Sequence, residues 1–279
     1  MSKDVKNSSE TVTANIKLSG PDWDLQTTVS VPQGPTTVRD MLPLAQSFSD
    51  AVINAVVKTN EEQGQKISCT KGCGACCRQP VPITRTEARH IRTVVENLPE
   101  PRRTAVRERF AEARQRLEKA GLLEKLLHPE EIPIDEKQTF ALQYFFQGIP
   151  CPFLEDESCS IYADRPIVCR EYLVTSAVEH CARPTAETVR AVRMPVKVWT
   201  SLARLDSDSS SAGKLPWVPL ILAPEWAETH PEEPNPRPGR ELLQELFEHI
   251  KQTGRALTEQ PEHLPLDQVS SLAPVVEKP

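Results

Sequence analysis

Eight cysteines are the residues of this chain with the clearest capacity for chemistry, and all of them lie between residues 69 and 181. Four occur in the spacing Cys-x3-Cys-x2-Cys-Cys, and four more follow from residue 151 with seven, nine and eleven residues between them. Thiolates at this density bind zinc or iron–sulfur clusters, and they can also form disulfides or a redox-active thiol centre. The candidate metal ligands are Cys69, Cys73, Cys76, Cys77, Cys151, Cys159, Cys169 and Cys181.

The expected compartment helps to separate these chemistries. The N-terminus MSKDVKNSSE is polar, without the apolar core of a signal peptide, and no apolar run reaches the roughly 18–20 residues that span a bilayer. We therefore expect a cytoplasmic protein with no membrane partner. The cytosol keeps thiols reduced, so a disulfide scaffold is the weaker interpretation of the cysteines.

The charge balance indicates which partners to expect. The net charge is −6 and the isoelectric point is about 5.6. Binding to nucleic acid needs a surplus of Lys and Arg against the phosphates, so the acidity argues against it. The sequence leaves a protein or a small molecule as the partner, without identifying either.

The local sequence around the cysteines suggests how they come together. Gly72 and Gly74 flank Cys73, where positive φ angles would let the backbone wrap around an ion. The stretch EDES after Cys151 reads as a turn, which would place Cys151 and Cys159 on the two arms of a tight hairpin. Adjacent side chains diverge, so we expect Cys76 and Cys77 to divide between the local loop and the distant group. The result would be an interwoven site with one centre or two.

The choice of metal stays open between an iron–sulfur cluster and zinc. Structural zinc favours paired Cys-x2-Cys knuckles, of which only Cys73 to Cys76 is present. His180 beside Cys181 is either a further ligand or a surface residue. A compact triplet with a distant fourth cysteine is typical of iron–sulfur sites, which favours the cluster slightly. The triplet also matches that of radical S-adenosylmethionine enzymes, but Ala75 stands where those enzymes carry an aromatic residue, and no strand–helix barrel follows.

Hydrophobic periodicity predicts the elements that precede and follow the first cysteine group. Residues 11–31 alternate as a β-hairpin with a turn at residues 19–22, and residues 37–63 repeat as a helix that Gly64 ends. Thr84 and Glu87 form a predicted capping box for a second helix. A third helix carries the apolar stripe Val106, Phe110, Ala113 and Leu117. Its arginines have two interpretations. The preferred one is a solvated face with a Glu112–Arg116 pair, and the alternative is a site for an anionic partner.

The remaining sequence completes an α+β prediction. Residues 139–148 form a short helix or strand, residues 192–199 alternate as a strand, and residues 232–239 read as an extended proline-rich linker. An amphipathic helix then ends at Gly254, before a proline-rich tail. We predict an α+β fold in which an N-terminal β-hairpin and helices surround a cysteine-rich metal-binding core. The predicted segments are residues 1–65, a cysteine-cluster domain at 66–182, and a C-terminal strand and helix region at 183–279.

Residues 66–182 resemble a known family through several short motifs taken together. CTKGCGACC at Cys69, CPFL at Cys151, CSIY at Cys159 and RPIVCR from Arg165 to Arg170 resemble the YkgJ-type cysteine-cluster family, described as a zinc- or iron-chelating domain. The resemblance implies metal binding and redox chemistry. The family includes flagellin lysine methylase-like members, so it also implies methyl transfer as an alternative.

The residues beside the cysteines have supporting roles in this interpretation. Phe153, Ile161 and Tyr162 would form an apolar wall that excludes water, and Pro152 and Pro166 would stiffen the approaches to Cys151 and Cys169. Arg165 and Arg170 would offset thiolate charge, the preferred role, or bind an anionic substrate. Glu171 and Tyr172 would make supporting contacts around the ligands.

Three functions remain open on the sequence alone. The first is a cytoplasmic metal-binding protein whose centre is structural or transfers electrons. The second is an iron–sulfur oxidoreductase or a methyltransferase-like enzyme, for which the sequence identifies no catalytic residue. The third is a protein-interaction module whose fold is stabilised by a closed zinc site. A centre with every position filled by cysteine favours the first or the third, whereas an open position favours the second.

Overall fold

The computed structural model describes residues 10–20, 23–185, 187–207, 215–232 and 235–259, with side chains to residue 254. Within these ranges the helices are α1 Val38–Glu62, α2 Arg85–Glu96, α3 Arg102–Lys119, α4 Leu123–Leu127, α5 Lys137–Phe146, α6 Ile167–Glu171, α7 Val178–Ala182, α8 Val198–Leu205, α9 Ala223–Thr229 and α10 Gly239–Glu259. The strands are β1 Thr11–Ser19, β2 Asp24–Pro32, β3 Pro35–Thr36, β4 Pro82–Ile83, β5 Leu154–Glu155, β6 Ser158–Cys159, β7 Val218–Pro219 and β8 Arg237–Pro238.

The predicted N-terminal hairpin is confirmed as the antiparallel pair β1–β2. Val12 lies opposite Val31, and Leu18 lies opposite Leu25. Leu25 and Val31 are buried, while their neighbours on the other face are exposed, as the alternation requires. The tip of the predicted turn, at residues 21–22, lies outside the described residues.

The long predicted helix is also confirmed, together with its ends. The Thr37 hydroxyl accepts a hydrogen bond from the Asp40 amide, and the Asp40 carboxylate accepts one from the Thr37 amide at 2.8 Å. This reciprocal capping box satisfies two amides that the first turn leaves without helical partners. The helix ends at Glu62 with Gln63 as its C-cap, and Gly64 follows with φ of +77°, a conformation that glycine adopts without strain.

Both helices predicted after the first cysteine group are present. α2 begins with the predicted capping box of Thr84 and Glu87. All four residues of the apolar stripe of α3 are buried. The ambiguous segment before Cys151 is a helix, α5, in which Phe140 and Tyr144 are buried.

Two predictions for the C-terminal region are wrong. Residues 192–199 form no strand: the Glu171 carboxylate accepts a hydrogen bond from the Val198 amide at 2.7 Å, and α8 starts there instead. α10 continues through Gly254 rather than ending at it. A Cβ atom at Gly254 would lie 3.3 Å from Val196 Cγ1, so this glycine allows close packing against the segment before α8.

Short antiparallel ribbons join distant parts of the chain. β3 pairs with β8 and β4 pairs with β7, so part of the predicted linker is a paired strand. One core cluster contains residues of β2 and α1 together with residues of α8 and α10, such as Phe48, Leu202 and Phe247. The first and last predicted segments therefore share a hydrophobic core. Positions 233–234 of the linker and the tail from residue 260 lie outside the described residues.

The architecture confirms the α+β prediction. Each sheet in the described ranges consists of two antiparallel strands, and the helices supply most of the core. Among the helices described, none has both the length and the apolar composition that a membrane span requires.

Candidate metal centre

The first cysteine group lies on a loop that the main chain of Val174 holds in place. The Ser68 amide donates to the Val174 carbonyl at 2.9 Å, and the Val174 amide donates to Cys69 Sγ at 3.3 Å. A 3₁₀ turn from Ala75 to Arg78 then carries Cys76 and Cys77. Val174 lies beyond Cys169 in the sequence, so this contact connects the two cysteine groups.

The two glycines of the loop have different roles. Gly72 has φ of +96°, as the sequence predicted. Gly74 does not, because its φ is −96°. Gly74 is required for space instead: a Cβ atom there would lie 2.6 Å from Glu157 Oε2 and 2.7 Å from Leu154 Cδ1. The loop can therefore contact the hairpin of the second cysteine group directly.

The predicted tight hairpin is confirmed as β5–β6. Asp156 and Glu157 have φ of 50° and 57°, and two successive positive angles in a two-residue loop are typical of a type I′ turn. Glu157 binds Arg78 of the first loop at 2.6 Å. The Cys151 amide donates to the Cys77 carbonyl at 2.7 Å. Main-chain and side-chain contacts thus hold the two cysteine segments against each other.

Cys169 lies on α6, whose start is fixed by a carboxylate from α2. Glu87 is buried, and its Oε1 accepts a hydrogen bond from the Ile167 amide at 2.7 Å while its Oε2 accepts one from the Thr84 amide at 2.9 Å. The same side chain therefore caps α2 and positions the helix that carries Cys169. Sequence reasoning identified the capping box but missed this second role, because no local pattern indicates the contact with Ile167.

Burial and mutual proximity raise the pKa of most of the thiols. Burial raises the pKa of Cys151 to about 12, with the neighbouring thiols Cys159 and Cys76 adding to the effect. Burial, followed by the charges of Cys151 and Cys76, raises the pKa of Cys169 well above its ordinary value. The pKa values of Cys69, Cys159 and Cys181 are raised mainly by burial as well.

Some groups act in the opposite direction and favour thiolates. Hydrogen bonds from the backbone of Val174, Phe153 and Ile161 lower the pKa values of Cys69, Cys151 and Cys159 respectively. The Arg165 guanidinium lowers those of Cys69, Cys76 and Cys159. Thiols that raise each other's pKa and also accept N–H donors are suited to share a cation.

The Cys76 thiol interacts with thiols of both groups. Its pKa is raised first by a hydrogen bond with the Cys77 thiol and then by burial. The two thiols are therefore close to each other on the 3₁₀ turn that carries both residues. The Cys76 thiol interacts electrostatically with those of Cys69, Cys77, Cys151, Cys159, Cys169 and Cys181.

The spacing of the thiols is wider than that of a single tetrahedral ion. In the described ranges, no three cysteine sulfurs lie within 4.8 Å of one another. Within those ranges, the ligand atoms of the exposed residues His128, Glu130 and Glu131 do lie that close together. Four thiolates on one zinc ion would lie about 3.8 Å apart, given Zn–S bonds of about 2.3 Å. His180 is exposed, whereas Cys181 next to it is buried.

The arginines of α3 are not simply a solvated face. Arg109 donates to the Pro152 carbonyl and to Glu155, both at 2.8 Å, and Arg102 donates to the Ser160 carbonyl at 2.8 Å. Arg116 donates to the Gln147 carbonyl at 2.9 Å. These side chains hold the second cysteine segment against α3, which sequence reasoning missed because all of the acceptors are distant in sequence.

The predictions for the residues that flank Cys159 and Cys169 are confirmed only in part. Phe153 and Ile161 are buried, as the predicted apolar wall requires, but Tyr162 is 42% exposed. The buried Arg170 side chain forms an ion pair at 2.8 Å with the half-exposed Asp50 of α1, so it anchors this segment to the N-terminal helix. Glu171 caps α8 through the Val198 and Trp199 amides.

The donor set fits a soft metal. The structure brings half-buried thiols from both segments together, with backbone N–H groups that donate to three of them and with the charges of Arg109, Arg165 and Arg170 favouring thiolates. Thiolate ligands of this kind suit zinc and iron–sulfur clusters.

Comparison with known proteins supports this reading. Residues 68–188 match the family model CxxCxxCC, described as “Putative zinc- or iron-chelating domain”. This confirms the family resemblance for that part of the chain. A search of curated proteins and a search of solved structures found no match.

Proposed function

Starting from a zinc- or iron-chelating domain at residues 68–188, we propose that the cysteine centre holds an iron–sulfur cluster and that the protein transfers electrons in the cytoplasm. When bound, such a cluster accepts and releases one electron reversibly. The eight cysteines of the two segments are the proposed ligands. Zinc binding by the same thiols is the alternative.

One observation supports this proposal: the two cysteine segments lie against each other. The hydrogen bond between the Cys151 amide and the Cys77 carbonyl joins them, and the Cys76 thiol lies in electrostatic range of thiols from both. A set of thiols drawn from distant segments needs a bound group to hold their charge once they ionise.

The surroundings of the thiols support a cluster. A cluster offers separate iron atoms to its cysteines, so its ligands can lie further apart than four thiolates on one ion. Backbone N–H groups directed at sulfur, such as that of Val174 toward Cys69, tune the reduction potential of a cluster. The buried side chains of Phe153 and Ile161 exclude water from the same region.

The test is the metal content of protein purified without oxygen. We expect iron and acid-labile sulfide in similar amounts, with broad visible absorption that bleaches on reduction. Stoichiometric zinc without sulfide would overturn the cluster and the electron transfer, but not the metal site. Protein that binds neither metal would overturn both.

A further inference from the structure

The outer strand of the N-terminal hairpin, β1, is less covered than its partner β2. β2 packs against α1 and α10, and its side chains Leu25, Val29 and Val31 are buried. The inward side chains of β1 face the same core but are only partly buried; they are Val12, Ala14, Ile16 and Leu18. β1 therefore leaves part of an apolar face exposed to solvent.

β1 also has a main-chain edge without partners. At one end of the ribbon the Gln33 amide donates to the Glu10 carbonyl at 2.7 Å. Bonded and non-bonded pairs alternate along an antiparallel ladder, so the even-numbered residues of β1 bond to β2. The odd-numbered residues direct their N–H and C=O groups away from β2, and within the described ranges these groups have no hydrogen-bond partner. These exposed residues are Thr11, Thr13, Asn15, Lys17 and Ser19.

β1 lacks the features that usually protect an edge strand from pairing with another chain. Such protection comes from proline, a bulge or several charged side chains. β1 contains no proline, its register with β2 is continuous, and Lys17 is its single charged residue. β2 by contrast ends at Pro32, which has no N–H, and the Pro32 carbonyl lies close to Gly239 at the start of α10. The edge of β1 is therefore the one better suited to accept a further strand.

The sequence of β1 is complementary to itself across a two-fold axis. Two β1 strands that pair antiparallel through their free edges place odd-numbered residues opposite each other as the bonded pairs. A pair centred on Asn15 uses the strand from Thr11 to Ser19 in full. The apolar pairs formed across the axis are Val12 with Leu18 and Ala14 with Ile16. Each copy therefore covers the half-exposed apolar face of the other.

The charge of Lys17 favours this register over its neighbours. Centring the pair on Lys17 would place two lysines directly opposite each other, which destabilises a ladder. Centring it on Thr13 would bring Lys17 and Ser19 opposite residues that precede β1. In the pair centred on Asn15, Lys17 lies opposite the neutral Thr13 of the other copy, so no like charges meet.

We propose that two copies of the chain associate through their β1 strands, joining the two hairpins into one four-stranded antiparallel sheet about a two-fold axis at Asn15. The partner is a second copy, because the register, the apolar pairs and the position of Lys17 all match the strand to itself. This inference goes beyond the proposed electron transfer and does not depend on a bound metal. The paired strands are about 30 Å long, from nine residues at about 3.4 Å each. A contact of this size suits a reversible dimer, with a dissociation constant on the order of 10 µM.

The test measures self-association of the full chain by sedimentation velocity at concentrations from about 1 to about 100 µM, which bracket this constant. Two variants of Thr13 form a matched pair, because both lose the exposed hydrogen bond between Thr13 Oγ1 and Ser30 Oγ. Thr13→Lys places a lysine opposite Lys17 at two symmetric positions of the dimer, whereas Thr13→Glu places an opposite charge there. In the monomer, position 13 is exposed and about 13 Å from Lys17 along the strand.

We expect the wild type to dimerise, and thermal unfolding shows that each variant folds. Thr13→Lys should weaken the dimer about tenfold and Thr13→Glu should strengthen it, since the two-fold axis makes each substitution act twice. The double variant of Thr13→Lys and Lys17→Glu should recover at least the wild-type association, because the facing charges are again opposite. Added salt at about 0.5 M should reduce the differences among the variants.

Hydrogen exchange of the main-chain amides identifies the surface. The amides of Thr13, Asn15 and Lys17 should exchange rapidly in the monomer and be protected in the dimer. A chain that stays monomeric throughout would overturn the inference, as would a dimer that responds equally to both Thr13 variants. Protection of these amides in the monomer would also overturn it, because the edge would then be covered by the chain itself. None of these outcomes bears on the metal centre, whose test is the metal content.

Discussion

Cys76 illustrates how much of the centre depends on single residues. Its thiol is close to that of Cys77 and interacts with those of Cys69, Cys151, Cys159, Cys169 and Cys181, while the Cys73 thiol acts on those of Cys69 and Cys181. The doubled cysteine is therefore central to the arrangement.

This difference predicts a graded loss of metal. Cys76→Ser should remove most of the bound metal and lower the melting temperature, because ligation and folding are coupled. Cys73→Ser should retain a larger share of the metal. Elemental analysis and thermal unfolding of both variants test this. Full metal occupancy in Cys76→Ser would contradict the central role of this thiol.

Arg109 shows that residues distant from the cysteines hold their backbone. Its guanidinium bonds to the Pro152 carbonyl and to Glu155, which follow Cys151 directly. We expect Arg109→Met to lower the free energy of unfolding by about 1–3 kcal/mol, because it leaves the Pro152 carbonyl without its donor and leaves Glu155 with the longer contact to Arg102, at 3.6 Å.

The matched control for this prediction is Arg107→Met, an exposed arginine of the same helix. It should change stability by less than about 0.5 kcal/mol. Urea unfolding of both variants measures the difference. Equal effects would show that α3 contributes only a general charged surface, as the sequence first suggested.

At the scale of secondary structure, the fit between the first cysteine loop and the β5–β6 hairpin depends on Gly74. Gly74→Ala would place a Cβ atom 2.6 Å from Glu157 Oε2 and 3.0 Å from the Glu157 carbonyl oxygen, so the Glu157 side chain must turn away and the hairpin backbone must shift slightly. We expect a loss of about 1–3 kcal/mol in stability together with reduced metal content.

Gly34→Ala is the control, because a Cβ atom there meets nothing within 4 Å. Its stability and metal content should match those of the wild type. Comparing melting temperature and metal content in the two variants separates the close approach from a general effect of replacing glycine. A fully loaded Gly74→Ala variant would show that the loop and hairpin can separate without damage to the centre.

The N-terminus of α2 contacts Asp206, the partly buried acid that follows α8, and this contact predicts a pH effect. Asp206 Oδ2 accepts a hydrogen bond from the Thr86 amide at 2.5 Å, and burial raises its pKa from 3.8 to about 6. The folded protein therefore binds this proton more tightly than the unfolded chain. The resulting stabilisation is fully present below about pH 4 and is lost as the pH rises through about 6.

Asp206→Asn removes this titration while keeping an oxygen acceptor. As the pH falls from 7 to 4, the stability of the wild type should gain on that of the variant by about 1–3 kcal/mol. Urea unfolding of both proteins at several pH values measures this difference. The other acids titrate in both proteins, so their effects on stability largely cancel. A difference that is constant with pH, or that changes in the variant's favour, would contradict the raised pKa.

Local patterns predicted most of these elements, and contacts between distant residues account for most of the errors. The caps at Thr37 and Thr84 and the stripe of α3 are short-range signals, and all are confirmed. Residues 192–199 alternate like a strand, but Glu171 caps a helix within them. Gly254 resembles a helix stop, yet it serves the packing against Val196. No pattern within a short window contains these partners.

At the scale of the whole molecule, the cysteine region is joined to the rest of the chain at several points. Arg170 binds Asp50 of α1, Glu171 caps α8, and Ile167 of α6 belongs to the core cluster of β2, α1, α8 and α10. The sequence predicted the cysteines as a group of candidate ligands, but not these connections. They couple the N-terminal and C-terminal elements to the helix that carries Cys169.

The central claim is that both cysteine segments bind one kind of centre, an iron–sulfur cluster. X-ray absorption at the iron and zinc edges of protein purified without oxygen tests it most directly, because the method reports which atoms surround the metal. We predict iron with a first shell of sulfur and a second shell of iron. Zinc surrounded by sulfur would contradict the cluster, and iron surrounded by oxygen or nitrogen would contradict ligation by the cysteines.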